Sequence, residues 1–263
     1  MTRKNILSAL VKTLLVLIFW LIIWMLVSFR INSELLFPSP LSVVKAFAEL
    51  VVTPSFWITT LFSLLRVVIG IFVSLVLGSL LAVITESSGI LKALLSPILS
   101  VIKATPVASF IILALLWLNR NFLPLFITAL IVIPIVWSNV SEGIKSVDKD
   151  LIEVTKIYDF KFKDRFFKLY LPSVAPFFMA ACRSSLGMAW KAGISAEVLS
   201  TPQRAIGTEL YFSKTYFETP SLFAWTLVVI ILSIIIENLF VWGLGQLGNR
   251  LRILPKGDGN DKT

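Results

Sequence analysis

Histidine is absent from the chain, and cysteine occurs once, at Cys182. The first absence removes the side chain that most often serves as acid, base or metal ligand near neutral pH. The second excludes an internal disulfide or a cysteine-built metal cluster, so no metal site is expected. Charge is scarce too, at 15% of 263 residues against 57% hydrophobic, with a mean hydropathy of +0.90. Soluble domains carry about 25% charged residues. So little polar surface cannot clothe a particle in water, and a bilayer is the solvent that suits it. No G-x-x-x-x-G-K-S/T segment occurs, so the chain has no phosphate-cradling loop of its own. Gly243-Leu244-Gly245-Gln246-Leu247-Gly248 spells G-x-G-x-x-G but follows an apolar helix rather than a strand, which rejects a dinucleotide site. With no histidine and no nucleophile–base pair, an intramembrane enzyme lacks its parts.

What is present is a series of long apolar runs. A helix needs about 20 mostly apolar residues to cross the hydrocarbon. Six stretches qualify: 10–29, 64–84, 93–118, 122–141, 173–197 and 220–243. The first follows Arg3, Lys4 and Lys12 like a signal peptide, but its run is too long and no small-x-small site follows, so it reads as a retained anchor. In the second, Gly70, Ser74, Gly78 and Ala82 recur every fourth residue, a ladder that lets another helix approach closely. Pro97, Pro106, Pro124 and Pro134 fall inside the third and fourth spans and predict kinks.

An even number of crossings puts both termini on one side. With the N-terminus inside, the inner segments hold fifteen basic residues and the outer ones five, a positive-inside pattern that makes both termini cytoplasmic. The net charge of +9 then reads as loops meeting anionic lipid headgroups, with no nucleic acid partner.

The inner loop 142–172 is the most informative stretch. Val147, Leu151, Val154 and Tyr158 give an apolar stripe on a short helix, with Asp148, Lys149, Asp150, Glu153 and Lys156 on the other faces. Phe160, Phe162, Phe166 and Phe167 follow. So much apolar surface in a polar loop needs cover; spacing alone leaves open a partner protein, the chain's own bundle, or the membrane interface.

Glu153-Val154-Thr155, then Asp159, then Leu169-Tyr170-Leu171-Pro172 keep the spacing of E-A-A, three residues, G, nine residues, I-x-L-P. This resembles the signature loop of binding-protein-dependent ABC permeases. Phe37-Pro38-Ser39-Pro40 is similar to the L-P-S-P of their nitrate/sulfonate/taurine branch, and Ser63-Leu64-Leu65-Arg66-Val67 with Gly70 to its S-L-x-R-V-x-x-G. Lys103-Ala104-Thr105-Pro106, Ala189-Trp190, Ala196-Glu197 and Ile206-Gly207 follow in the order of that branch. The resemblance implies an all-α polytopic domain of the type I ABC importer kind, in a bacterial inner membrane. It implies a second permease copy (a homodimer), two ATPase subunits and an extracytoplasmic solute-binding protein. This chain would hold no cofactor; ATP and magnesium would lie on the ATPases, gripped through Glu153, Val154, Thr155, Tyr158, Asp159, Leu169, Leu171 and Pro172. Thr155 and Asp159 depart from the usual alanine and glycine, and aspartate is among the few residues that tolerate the left-handed region.

Charges inside a membrane cost about 2.5–3.5 kcal/mol each on insertion scales and face cavities or one another. Arg183, Gly187 and Lys191 fall at i, i+4 and i+8 in the fifth span. One expectation is that this face borders a solute pathway, with Trp190 beside it as a constriction or packing residue, and that it suits an anion such as a sulfonate, nitrate or carboxylate. The other is that Lys191 and Glu197 lie in the interface and Arg183 meets a backbone carbonyl or Glu237. An ion-gradient-driven transporter is the rival reading, although it favours acidic residues at mid-membrane.

Overall fold

The computed structural model describes residues 3–250, with side chains from 11 to 246; Arg252, Lys256 and Lys262, which entered the charge asymmetry, lie outside the described residues. The described residues are helical throughout, without a strand. The first helix, α1 (Arg3–Ile31), is apolar on every side and stands apart, its whole apolar window unburied. A helix that is apolar all round and uncovered by protein is one that lipid covers. It touches the rest at its C-terminal end, where Trp24 packs on Phe37 and Phe223 and its indole N–H donates to the Pro38 carbonyl at 3.0 Å.

Two helices follow that the span pattern leaves unmarked or shortens. The α2 helix (Pro40–Val52) begins at Ser39, whose hydroxyl accepts the Ser42 N–H, with Pro40 in the first turn. Serine caps a free donor and proline's fixed φ suits the first turn, so Phe37-Pro38-Ser39-Pro40 is a helix start. The α3 helix (Pro54–Ser87) is capped by Thr53 and runs 34 residues, about 50 Å. It outruns the expected 64–84 because its first turns bury Thr59, Thr60 and Ser63 against protein, where hydrophobicity gives no signal.

The stretch expected as one span at 93–118 is two helices, α4 (Gly89–Ala104) and α5 (Val107–Ala114), bent by 105°. Pro106 supplies no N–H and forces Thr105 to an extended ψ of 134°, which ends α4. Then come α6 (Leu123–Lys145), the short α7 (Lys149–Ile157) and α8 (Phe162–Arg165). Ahead of Pro172 the chain winds as a π-turn over Phe166–Tyr170 and runs into α9 (Leu171–Ser200). The α10 helix (Ile206–Thr215) and α11 (Thr219–Arg250) complete the order.

Packing centres on α6, which lies between α3 and α9 in the two most extensive helix contacts of the fold. A Cβ built on Gly78 would lie 2.8 Å from Val136 Cβ and 3.0 Å from the Ile133 carbonyl of α6. One on Gly193 of α9 would lie 2.6 Å from Val67 Cγ2 and 3.0 Å from Thr128 Oγ1. Gly70, Ser74, Gly78 and Ala82 are all buried on the face of α3 that carries Val67, so the three axes meet where side chains are smallest.

By length and composition α1, α3, α6 and α11 suffice to cross a membrane, and α4–α5 adds a fifth if the bent pair is one span. The α9 helix has the length, at 30 residues, but carries Arg183, Lys191 and Glu197. It buries many of its residues, Glu197 among them, whereas Arg183 and Lys191 face out.

Candidate functional site

At the N-terminal end of α9 stands the loop singled out by spacing. Asp148 caps α7, its Oδ1 accepting the Asp150 N–H at 2.9 Å, and Asp150 and Lys156 sit at the ends that the helix dipole favours. The helix closes in a Schellman turn: Phe160 N–H donates to Thr155 O at 2.9 Å and Asp159 N–H to Lys156 O at 3.2 Å. Asp159, at the glycine position of the spacing, has a φ of 47°. Such turns place a left-handed residue there, usually glycine, and aspartate is one of the few substitutes.

The exposed surface of this loop is unusually apolar. Leu151, Val154, Ile157, Tyr158, Phe162 and Phe167 are all open, Ile157 at 78% and Phe162 at 83%, with Glu153 beside them. The expected stripe is split, because Val147 turns into the bundle while Leu151, Val154 and Tyr158 face out. Thr155 likewise faces in, 5% exposed, its hydroxyl donating to the Ile152 carbonyl. Leu169 is buried, and Leu171 and Pro172 are half-buried where the π-turn enters α9. Glu153, Val154, Tyr158 and Asp159 therefore share the open side, and Thr155 and Leu169 anchor it.

Midway along α9, Arg183 and Lys191 are exposed, with Ala180, Ser184, Met188 and Ser195 on the same face. Pro176, Met179, Ala180, Arg183 and Ser184 line a groove of about 480 Å³. Gly187 lies between the two cations, and Glu237 of α11 reaches over it. Trp190 is not on this face: it is 1% exposed, and its indole N–H donates to the Val229 carbonyl of α11 at 3.1 Å. Of the four residues that spacing grouped, three share the open face and the fourth joins α9 to α11.

At the C-terminal end of α9 lies a cluster that the sequence shows only in pieces. Glu197 is fully buried. Its Oε2 accepts from Ser63 Oγ at 2.8 Å and from the Gly207 N–H at 3.1 Å, and its Oε1 pairs with Arg66 at 3.1 Å. The guanidinium also donates to the carbonyls of Gln203 and Arg204, and Ser63 accepts the Ile206 N–H at 2.8 Å. A Cβ at Gly207 would overlap the Glu197 side chain and the chain at Val198, so only glycine brings the start of α10 this close. Ser63 and Arg66, Glu197, and Ile206-Gly207 are thus one clamp joining α3, α9 and α10. The signal that could have joined them is the opposite charge on two apolar helices, since a lone buried charge is too costly to keep.

Buried small-residue packing, long apolar helices and a discontinuous helix define a multi-pass membrane protein. The sequence profile of the "binding-protein-dependent transport system inner membrane component" family matches residues 74–242, and the chain belongs to that family. It is 25% identical over 204 residues to the putative aliphatic sulfonates transport permease protein SsuC of Bacillus subtilis, covering 77% of this chain and 74% of the relative. It is 27% identical over 192 residues to the nitrate import permease protein NrtB of Synechocystis sp., covering 68% of each. It is also 30% identical over 156 residues to the bicarbonate transport system permease protein CmpB of Synechocystis sp., covering 58% and 54%. Among solved structures the fold is similar to a bacterial alginate ABC transporter in complex with an alginate pentasaccharide-bound periplasmic protein (TM-score 0.56, 15% identity, 94% of this chain and 97% of the other). It is similar as well to an amino acid ABC transporter (TM-score 0.55, 17% identity, 73% and 90%). The chain is a multi-pass inner-membrane permease with the ABC importer fold.

Proposed function

We propose that this permease imports a small anion with energy from ATP hydrolysed on separate subunits. The observation that carries the reading is the open apolar surface of α7 and α8 around Glu153, held by the Asp159 turn. An exposed patch of this kind on a polar loop marks a surface for a protein or a membrane, and a protein is favoured because Glu153, Val154, Tyr158 and Asp159 within it hold the spacing that resembles the ATPase-coupling loop. Two ATPase copies, each holding ATP and magnesium, would grip this loop on two copies of the chain. Nucleotide binding would then rock the bundle between inward- and outward-facing states. The open face of α9 would be the fifth of six crossings and would line the pathway. Both termini would be cytoplasmic, and a solute-binding protein would dock at the α10 end.

The anionic cargo is supported by the relatives' printed solutes, sulfonates, nitrate and bicarbonate, which share only a negative charge. It is supported too by Arg183 and Lys191 on one open face. The test is uptake into vesicles holding the permease, its ATPase and its binding protein. Charge reversal, Glu153→Lys, is expected to abolish ATP-driven uptake and copurification of the ATPase. Unchanged uptake would overturn the reading, and loss of uptake on adding an uncoupler at constant ATP would favour an ion-gradient transporter instead.

A further inference from the structure

Two carboxylates of the long helices, Glu197 of α9 and Glu237 of α11, are treated very differently. Glu197 is enclosed and receives hydrogen bonds from two residues besides its ion pair. Glu237 of α11 is exposed, and among the described residues no donor or cation meets its carboxylate. Its Oε1 instead occupies the space where a side chain at position 187 would begin. Gly187 is the middle of the Arg183–Gly187–Lys191 row, so the backbone of each basic residue stands about one helical turn, roughly 6 Å along the axis, from the glycine that Glu237 covers. Neither Arg183 nor Lys191 has an acidic partner within ion-pairing distance among the described residues. Three charges that a membrane would otherwise penalise therefore share one face, in alternating sign and without closing into fixed pairs.

That arrangement fits neither lipid exposure nor a structural clamp. A structural clamp would be closed, as at Glu197. A face left to lipid would carry no charges. A loose counter-charge between two cations offsets part of their charge when the site is empty and leaves a net positive charge that can receive an anion. We infer that Glu237 is the built-in counter-ion of the Arg183–Lys191 face: it occupies the anion position over Gly187 in the empty permease, and an anionic solute displaces it. This makes Glu237 a specificity-determining residue that weakens anion binding enough for release, with Gly187 as the slot that admits its carboxylate. The inference rests on the reading of the α9 face as an anion pathway.

The test is equilibrium binding of labelled nitrate, bicarbonate and methanesulfonate to the full permease–ATPase complex in lipid nanodiscs, without binding protein. Glu237→Gln is expected to bind at least one of these anions three-fold or more tighter than the unaltered permease. Gly187→Ala, which pushes the carboxylate out of its slot, should shift affinity in the same direction and serves if the first variant folds poorly. Arg183→Gln added to Glu237→Gln should return the affinity to the starting value or below. Should Arg183→Gln weaken binding while Glu237→Gln and Gly187→Ala leave it within two-fold, the counter-ion role is wrong and the pathway stands. Should Arg183→Gln and Lys191→Gln also change nothing, the pathway reading falls with it. No binding of any of the three anions by the complex or by Glu237→Gln overturns the inference as well.

Discussion

The two ends of α9 are built on opposite plans. At its C-terminal end, Glu197 is a buried charge paired with Arg66 and bonded by Ser63 and the Gly207 N–H, while Arg66 also donates to the carbonyls of the 203–204 loop. At its N-terminal end, α7 and α8 are polar helices that hold Ile157, Tyr158 and Phe162 out where nothing among the described residues covers them. Completed contacts make the first end rigid. The second leaves apolar surface open, the surface proposed above to meet an ATPase subunit. Satisfied charge marks where a fold is held, and uncovered apolar surface marks where it is to be held by something else.

The sharpest way to break this contrast is at the clamp. Arg66→Ala leaves Glu197 buried without its counter-charge and is expected to destabilise by about 3 kcal/mol, the low end for a broken buried pair because the guanidinium edge is partly exposed. Thermal unfolding in detergent would register it. The double change Arg66→Leu with Glu197→Leu should cost less than the two single changes added together, since it removes both charges. An additive result would mean the pair does not interact. Next in size, Gly78→Leu forces α3 away from α6 and should cost about 1–3 kcal/mol as overpacking.

At the opposite end the expected pattern inverts. Ile157→Asp should shift stability by no more than about 0.5 kcal/mol, as exposed substitutions do, while abolishing ATP-driven uptake. A large loss of stability would show that the patch is covered by the chain itself. A small effect, with uptake retained, is expected at the turn. Asp159→Gly relieves a left-handed residue and should stabilise by at most about 1 kcal/mol, read as slower hydrogen exchange at the Phe160 amide. Asp159→Val should do the reverse.

Some of this was legible in the residues alone. The apolar runs at 122–141 and 220–243 fall within α6, to within one residue, and α11, because a helix long enough to cross the hydrocarbon must be mostly apolar. The turn at Asp159 was legible through the resemblance, which puts it at the signature's glycine, a place where aspartate is one of the few substitutes. Other features were hidden. The α2 and α10 helices are short and mixed in character, so no long apolar run announces them. Pro106 was visible, but the 105° bend depends on where α5 finds its packing partners, Leu123 and Ile127 of α6 and Ala192 and Ala196 of α9. Trp190 sat one residue from Lys191 in sequence, and a step of about 100° around the helix sends it to the opposite environment.

Hydrophobic length, positive loops and the spacing from Glu153 to Pro172 are properties of the chain read in order, since bilayer thickness and local backbone sterics act on consecutive residues. Which faces meet is another matter. That Glu197 would find Ser63, Arg66 and Gly207, that Thr155 would turn inward, and that Glu237 would settle over Gly187 depended on helices far apart in sequence. A buried charge or a missing side chain states a need for a partner, and only the packed bundle selects which residue meets it.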